Sequence, residues 1–258
     1  MSGIYVYGQT PSVIGVVMLD TKFPRPLGDV GNTQTFGVSV HHETMKGIWP
    51  AKVVTSAASL RQARLVPAFQ NIVRGMQLRG VQAITTSCGF LVLLQKELQS
   101  VTKLPVVTSS LLQLPALLRQ EQKVGVLTIS ANSLGSEYLR AAGVPKERLK
   151  DVIIQGMPPG GEFASKILGN QPTLDLALAS QEAVAAALAL QARAPELRSL
   201  VLECTNLPPY QAAIVTATGW KIYSLKTDPR LRKVIDATFE KTAPASQEHN
   251  ASSSGDPT

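Results

Sequence analysis

Short apolar runs alternate along this chain with longer stretches whose apolar positions recur at helical spacing. Ile14-Gly15-Val16-Val17-Met18-Leu19-Asp20 reads as a first strand and Thr35 to His41 as a second. Over residues 55–79, Leu60, Leu65, Phe69, Ile72, Val73 and Met76 fall on one helical face. The run Val81 to Phe90 reads as a strand ending at Cys88, followed by a helix near 90–100, the strand Leu104 to Thr108 and a helix from Leu111 to Gln120. The pattern then starts again. Lys123 to Ser130 resembles the first strand, Leu134 to Ala142 is helical, and Val152 to Gly156 is a strand. A long Ala/Leu helix covers 173–194, and Leu200-Val201-Leu202-Glu203-Cys204 repeats the strand that ends in a cysteine. A helix near Pro208, a strand Trp220 to Ser224 and a helix over 229–240 complete the series. Strands alternating with helices in this way predict an α/β fold with parallel sheets covered by helices.

The restart has a measurable register. Ile14 and Val124 are 110 residues apart, and Cys88 and Cys204 are 116 apart. Near-equal offsets predict two similar lobes, each supplying one cysteine from its third strand. One continuous doubly wound sheet remains the alternative. In the two-lobe reading, residues 1–112 with 220–241 form the first lobe and 113–219 the second, and 242–258, rich in small and polar residues, is a disordered tail. Gly/Pro-rich loops at 24–32 and 156–161 follow a strand in each half and could cover a cleft.

Composition narrows the function. Hydrophobic residues make up 44% of the 258 and charged residues 17%, as in a globular enzyme. The net charge is +7, but Lys and Arg are scattered and not interleaved with aromatics, which argues against nucleic acid and leaves a mild field attractive to an anionic substrate. No apolar stretch reaches the roughly 18–20 residues of a membrane span. The first residues lack a basic region followed by an apolar one, so a signal peptide is not expected. Two cysteines do not make a disulfide framework, and the expectation is a cytoplasmic protein with both thiols free.

Both cysteines sit where an open α/β sheet binds ligands, past the carboxyl end of a strand. A thiol there can be a base on one side of a carbon and an acid on the other. Hydroxyls, amides and peptide N–H groups that could stabilise a developing enolate lie at strand ends: Thr86, Ser87, Gly89, Thr128, Ser130, Asn132, Thr205 and Asn206. Asp20, Thr21 and Asn32 follow the first strand and are further candidates for binding substrate. Glu203 precedes Cys204, and strand alternation means that it need not enter the site: it is either a charge paired behind the sheet or, if it lies near the thiol, one that raises the thiol pKa and could bind a substrate ammonium. His41-His42-Glu43 does not make a metal site, because adjacent strand residues point apart. No GxGxxG follows a strand and no Gly-x-Ser-x-Gly elbow is present, which disfavours nucleotide binding and serine hydrolysis.

The segments Thr86-Ser87-Cys88-Gly89 and Glu203-Cys204-Thr205-Asn206-Leu207-Pro208 resemble the two cysteine motifs of the aspartate/glutamate/hydantoin racemase superfamily. The resemblance covers residues from about 14 to 240. It implies two flavodoxin-like lobes related by a pseudo-twofold axis, with the active site between them and no cofactor. It also implies a racemase or epimerase, an isomerase acting on a small carboxylate or amide-like substrate by proton transfer between Cys88 and Cys204. Arylmalonate decarboxylases and maleate cis-trans isomerases share the scaffold and are alternatives, as is a non-catalytic small-ligand binder. The oligomeric state stays open, a homo-oligomer included. The chain departs from the amino-acid racemases at three places: Cys88-Gly89-Phe90 stands for Cys-Asn-Thr, Glu203 for the Gly before the second cysteine, and Asp20-Thr21 for Asp-Ser.

Overall fold

The computed structural model describes residues 13–54 and 65–242. The first ten residues of the expected 55–79 helix and the tail beyond 242 lie outside them. The chain forms two four-stranded parallel sheets with flanking helices. In the first, β1 (Ile14–Leu19), β2 (Val40–Met45), β3 (Ala83–Thr86) and β4 (Val106–Val107) lie in the order β2-β1-β3-β4. In the second, β5 (Val124–Thr128), β6 (Val152–Gly156), β7 (Ser199–Leu202) and β8 (Lys221–Tyr223) lie in the order β6-β5-β7-β8. The strand order is the same in both, and in each the chain reverses direction across the sheet between its first and third strands. The carboxyl ends of such a pair flank the crevice where ligands bind.

The sheets are central because their inner strands are apolar on both faces. Along β1 the side chains divide by parity: Ile14, Val16 and Met18 pack into one cluster with Leu231 and Ile235, and Val17 and Leu19 into another with Phe69, Val73 and Met76. Helix Val66–Leu78 therefore covers one face of the first sheet and the last helix, Pro229–Thr242, the other. That last helix is what ties the end of the chain to the first lobe. The boundary expected at residue 220 falls one strand too early, since β8 hydrogen-bonds to β7 and belongs to the second sheet. The long helix Leu176–Arg193 begins where Asp175 accepts hydrogen bonds from the Ala177 and Leu178 N–H groups at 2.9 and 3.0 Å.

The second strand lies further along than the apolar pattern implies. Residues 35–39, expected to open it, are held in turns instead. Thr35 Oγ1 donates to the Asp29 carbonyl and accepts from the Gly28 N–H, and Gly37 takes a left-handed φ of 71°. These local bonds tie the segment to the 24–32 loop and delay pairing with β1 until Val40. Gly28 itself has φ 102°, and a Cβ there would approach Pro209 N to 3.0 Å. This glycine lets the first-lobe loop lie against the backbone of the second lobe.

Gly28→Ala forces an L side chain into that left-handed conformation and into the Pro208-Pro209 backbone. The expected loss is about 1–3 kcal/mol, read as a lower urea midpoint with unchanged slope; an unchanged midpoint would show that the loop does not seat there.

Candidate active site

The two cysteines occupy equivalent places. β3 ends at Thr86 and β7 at Leu202, and each cysteine lies two residues further on, where the chain leaves the sheet. Both thiols are free, buried and in the wall of one small cavity between the lobes. Ser87, Gly89, Thr205 and Asn206 share the wall with them. The rest is apolar apart from Glu203: Leu19, Pro50, Val54, Phe90, Ile129 and Ile167.

Hydrogen bonds across the lobes hold the two turns face to face. Thr205 Oγ1 donates to the Ser87 carbonyl at 2.7 Å, and the Val30 N–H donates to the Thr205 carbonyl at 3.3 Å. Ser87 is fixed in turn: its N–H donates to the Val17 carbonyl, and its Oγ accepts from the Leu19 N–H at 2.9 Å. On the other side a chain of polar contacts runs outward from the second thiol. Cys204 Sγ contacts Asn206 Oδ1 at 3.6 Å, Asn206 Nδ2 donates to Asp29 Oδ2 at 2.7 Å, and Asp29 Oδ1 pairs with Arg25 at 2.8 Å. The Arg25 guanidinium stacks 4.4 Å from the Phe23 ring centroid. It also donates to Thr21 Oγ1 at 2.7 Å.

Burial dominates the acid–base character of the cavity. The Cys88 thiol is pushed up to about 12, first by burial and then by the Glu203 carboxylate. The peptide N–H groups of Phe90 and Leu91 and the charge of Arg25 oppose this. Cys88 is the residue from which the 3₁₀ turn Gly89–Leu94 starts, so its sulfur lies at the N-terminal end of that turn, while the Leu91 N–H also donates to the Cys88 carbonyl at 3.1 Å. Cys204 is also raised, by burial, Glu203, Cys88 and Asp29, against a single opposing N–H from Asn206. Cys88 is therefore the better supported of the two thiolates. Glu203 is fully buried, and burial lifts its carboxyl to about 8, with the Thr128 hydroxyl at 2.7 Å pulling the other way. At neutral pH the empty cavity thus holds three protonated acids, and Glu203 is the first to ionise.

Not every expected residue reaches this cavity. Thr86 lies behind it, with Oγ1 within 3.0 Å of the Cys88 carbonyl and 2.8 Å of the Thr108 carbonyl. Thr128 acts on Glu203 from outside the wall. Asp20 binds the Gly47 N–H, Thr21 holds Arg25, and Asn32 ties the Arg25 carbonyl to the Gln34 N–H, so all three shape the loop and do not line the cavity. Ser130 and Asn132 line a separate hollow with Gln155 and Met157, and Ser130 caps a turn through Ser133. His41, His42 and Glu43 lie within β2, away from the cavity.

For Glu203 the structure decides between the two placements left open. Strand alternation allowed it behind the sheet, but β7 stops at Leu202, so the rule no longer applies one residue later. Its carboxyl sits against the Gly89 turn and has no basic partner among the described residues. The walls from Pro50, Val54 and Ile167 were not anticipated either, since they come from segments with no chemical signature.

No family model matches the chain. Among solved structures it is similar to an aspartate racemase homologue from Pyrococcus horikoshii OT3, with TM-score 0.53 and 13% identity over 88% of this chain and 99% of that one. A glutamate racemase from Bacillus anthracis superposes with TM-score 0.51 and 17% identity, covering 90% of this chain and 83% of that one. Arylmalonate decarboxylase superposes with TM-score 0.50 and 12% identity over 90% and 94%. The chain has the fold of the aspartate/glutamate racemase superfamily.

Curated relatives point to a different reaction on that fold. A dimethylsulfoniopropionate lyase of Durusdinium sp. clade D is 28% identical over 246 residues, 89% of this chain and 78% of that protein. Dimethylsulfoniopropionate lyase 6 of Emiliania huxleyi (strain CCMP1516) is 28% identical over 223 residues, 81% of this chain and 56% of that protein. Three further curated relatives carry the same name. The expectation of a racemase or epimerase, and with it the isomerase class, is overturned by these five: the fold is shared with racemases, but the relatives by sequence are lyases. No helix among the described residues is long and apolar enough to cross a membrane.

With Cys204→Ala removing the second thiol, methylthiolation of Cys88 should accelerate from pH 7 to 10 without a plateau, about tenfold per pH unit except near pH 8, where ionisation of Glu203 makes the rise shallower, since thiolate is the reacting form. Glu203→Gln removes a facing negative charge, so the thiol pKa falls and the reaction at pH 9–10 speeds up several-fold. Below pH 7, where Glu203 is protonated, the two rates should converge. A plateau near pH 8, or identical rates throughout, would contradict the placement of the carboxyl beside the thiol.

Proposed function

We propose that the chain is a lyase that eliminates a dimethyl thioether from a small β-sulfonio carboxylate, dimethylsulfoniopropionate being the substrate named for its relatives. The observation that carries this reading is the pair of buried thiols in one small, largely apolar cavity, in a chain whose curated relatives are named for that elimination.

The chemistry follows from the substrate class. The carbon next to a carboxylate is weakly acidic, and a base must remove its proton. Cys88 is the base, as the thiol with two peptide N–H groups and Arg25 favouring its anion. The C–H electron pair becomes the new C=C bond. The C–S bond breaks with its pair on sulfur, which leaves as neutral dimethyl sulfide, and acrylate remains. The proton carried by Cys88 returns to solvent. A sulfonium leaves without being protonated, so the reaction needs a base but no acid on the leaving side.

The carboxylate end needs donors, because negative charge grows on its oxygens as the proton departs. The cavity wall has no Lys or Arg among the described residues, so neutral donors perform this role. Ser87 Oγ accepts from Leu19 N–H and keeps its own proton to donate. The Gly89 and Thr205-Asn206 turns bring peptide N–H groups to the same wall. Cys204 faces the reacting carbon from the second lobe, and in its protonated form it supports the anion as a weak donor. Apolar walls from Leu19, Phe90, Ile129 and Ile167 exclude water and accommodate the S-methyl groups.

Purified protein incubated with dimethylsulfoniopropionate should release dimethyl sulfide and acrylate in equal amounts, measured by headspace gas chromatography and liquid chromatography. Cys88→Ala should lower kcat by about 10²–10⁴, the range for loss of a general base, and Cys204→Ala by less. Absence of dimethyl sulfide, or full activity in both variants, would falsify the reading.

A further inference from the structure

Glu203 Oε1 is the one buried side-chain polar atom without a hydrogen-bond partner in the wall of the thiol cavity, among the described residues. Oε2 accepts from Thr128 Oγ1, a neutral donor, and no cation among the described residues pairs with either oxygen. A buried carboxyl left in this state is a cost to the fold. Glutamine would keep the shape, so packing alone does not require an acid here. The opposite wall is cut to admit it: a Cβ on Gly89 would come within 2.3 Å of both Glu203 Oε1 and the Glu203 carbonyl. The two departures at the motif positions, a glycine after the first cysteine and a glutamate before the second, are thus halves of one contact. Around the carboxyl the cavity offers hydrocarbon, the two thiols and the neutral polar groups of Ser87, Thr205 and Asn206, and no other acidic side chain among the described residues.

We propose that Glu203 recognises the cationic end of the substrate, its unpaired oxygen facing an onium centre that carries methyl groups and no N–H. The inference deepens the elimination proposed above and rests on it for the identity of the substrate. A primary ammonium would bring three donors to a site with one unpartnered oxygen, where Ser87, Thr205 and Asn206 already hold other partners, leaving donors unpaired. A sulfonium or quaternary ammonium brings charge and methyl groups, which the carboxylate and the hydrocarbon walls both satisfy. Glu203 thereby separates methylated onium acids from amino acids of similar length and from uncharged thioethers.

Three unreactive or slow probes of matched length separate these possibilities: 3-(trimethylammonio)propanoate, β-alanine and 3-(methylthio)propanoate. Their inhibition constants are measured against release of dimethyl sulfide, and their dissociation constants directly by calorimetry. The wild type should bind the trimethylammonio acid at least tenfold tighter than the other two, and Glu203→Gln should abolish that preference while leaving the methylthio acid unchanged. The ionised carboxylate is the binding form, so wild-type affinity for the trimethylammonio acid should rise with pH up to about 8 and then level. The groups facing Glu203 across the cavity are the Cys88 and Cys204 thiols, which stay protonated over this range, while Asp29 and Arg25 behind Cys204 are paired to each other. The methylthio acid should show no such rise.

A preference for the trimethylammonio acid that survives Glu203→Gln overturns the inference. So does a loss of kcat in that variant with the probe ratio unchanged, which would place Glu203 in proton transfer. If Glu203→Gln binds none of the probes, the wild-type pH profile decides, and a flat profile overturns the inference. Onium binding that depends on Glu203 without release of dimethyl sulfide would sink the elimination and keep the recognition. Release of dimethyl sulfide with no role for Glu203 in the probe ratio would do the reverse.

Discussion

The hydrogen bond from Thr205 Oγ1 to the Ser87 carbonyl joins the two cysteine turns, and the rest of the site depends on it. Each turn leaves its own sheet at the same place, two residues past the strand end. Without a link between them, two strand ends in two lobes would have no fixed separation. The Val30 N–H to Thr205 carbonyl contact and the Asn206 to Asp29 contact bring the first-lobe loop into the same joint. Because the joint is buried, its polar groups are costly to leave unpaired, and the bonds are strong for the same reason. The cavity is the space left between turns whose backbone is tied on both sides.

Closing that joint takes three acids out of water together. Their proton affinities all rise from burial, and the Glu203 carboxylate opposes ionisation of both thiols. The thiols are separated in character by what the backbone supplies: two N–H groups for Cys88, one for Cys204. A racemase needs a base and an acid on opposite faces of one carbon, whereas elimination of a sulfonium needs only the base. A scaffold that makes its two thiols unequal is compatible with the second demand, and the same two-lobe frame can thus carry related reactions that begin at the carbon beside a carboxylate.

Much of this was legible in the chain. The restart of the pattern near Val124 and the matched cysteine offsets correspond to two sheets with the same strand order. The Ala/Leu stretch over 173–194 is the helix Leu176–Arg193, which starts at the Asp175 cap. The readings that failed or stayed open share a cause, which is that a local rule was applied beyond the element that obeys it. Alternation left Glu203 undecided, because the strand has already ended at Leu202. Thr35 to His41 looked extended, but Thr35 bonds back to Asp29 and Gly28 and turns the chain. Asp20, Thr21 and Asn32 lie at a strand end, as ligand-binding residues often do, yet their partners are Gly47, Arg25 and Gln34.

The sequence by itself determined the alternation of strands and helices, the repeat, and the position of one cysteine past an inner strand of each half. These follow from spacing and from local chemistry, which neighbours along the chain decide. Only the tertiary structure decided which polar groups share the cavity and what their charges do. Glu203 meets Gly89, Thr205 meets Ser87 and Asn206 meets Asp29 across separations of more than a hundred residues. The choice between a paired acid behind a sheet and an unpaired one facing a ligand depends on where β7 stops and what stands opposite. That is a property of packing between lobes, and no pattern within either half encodes it.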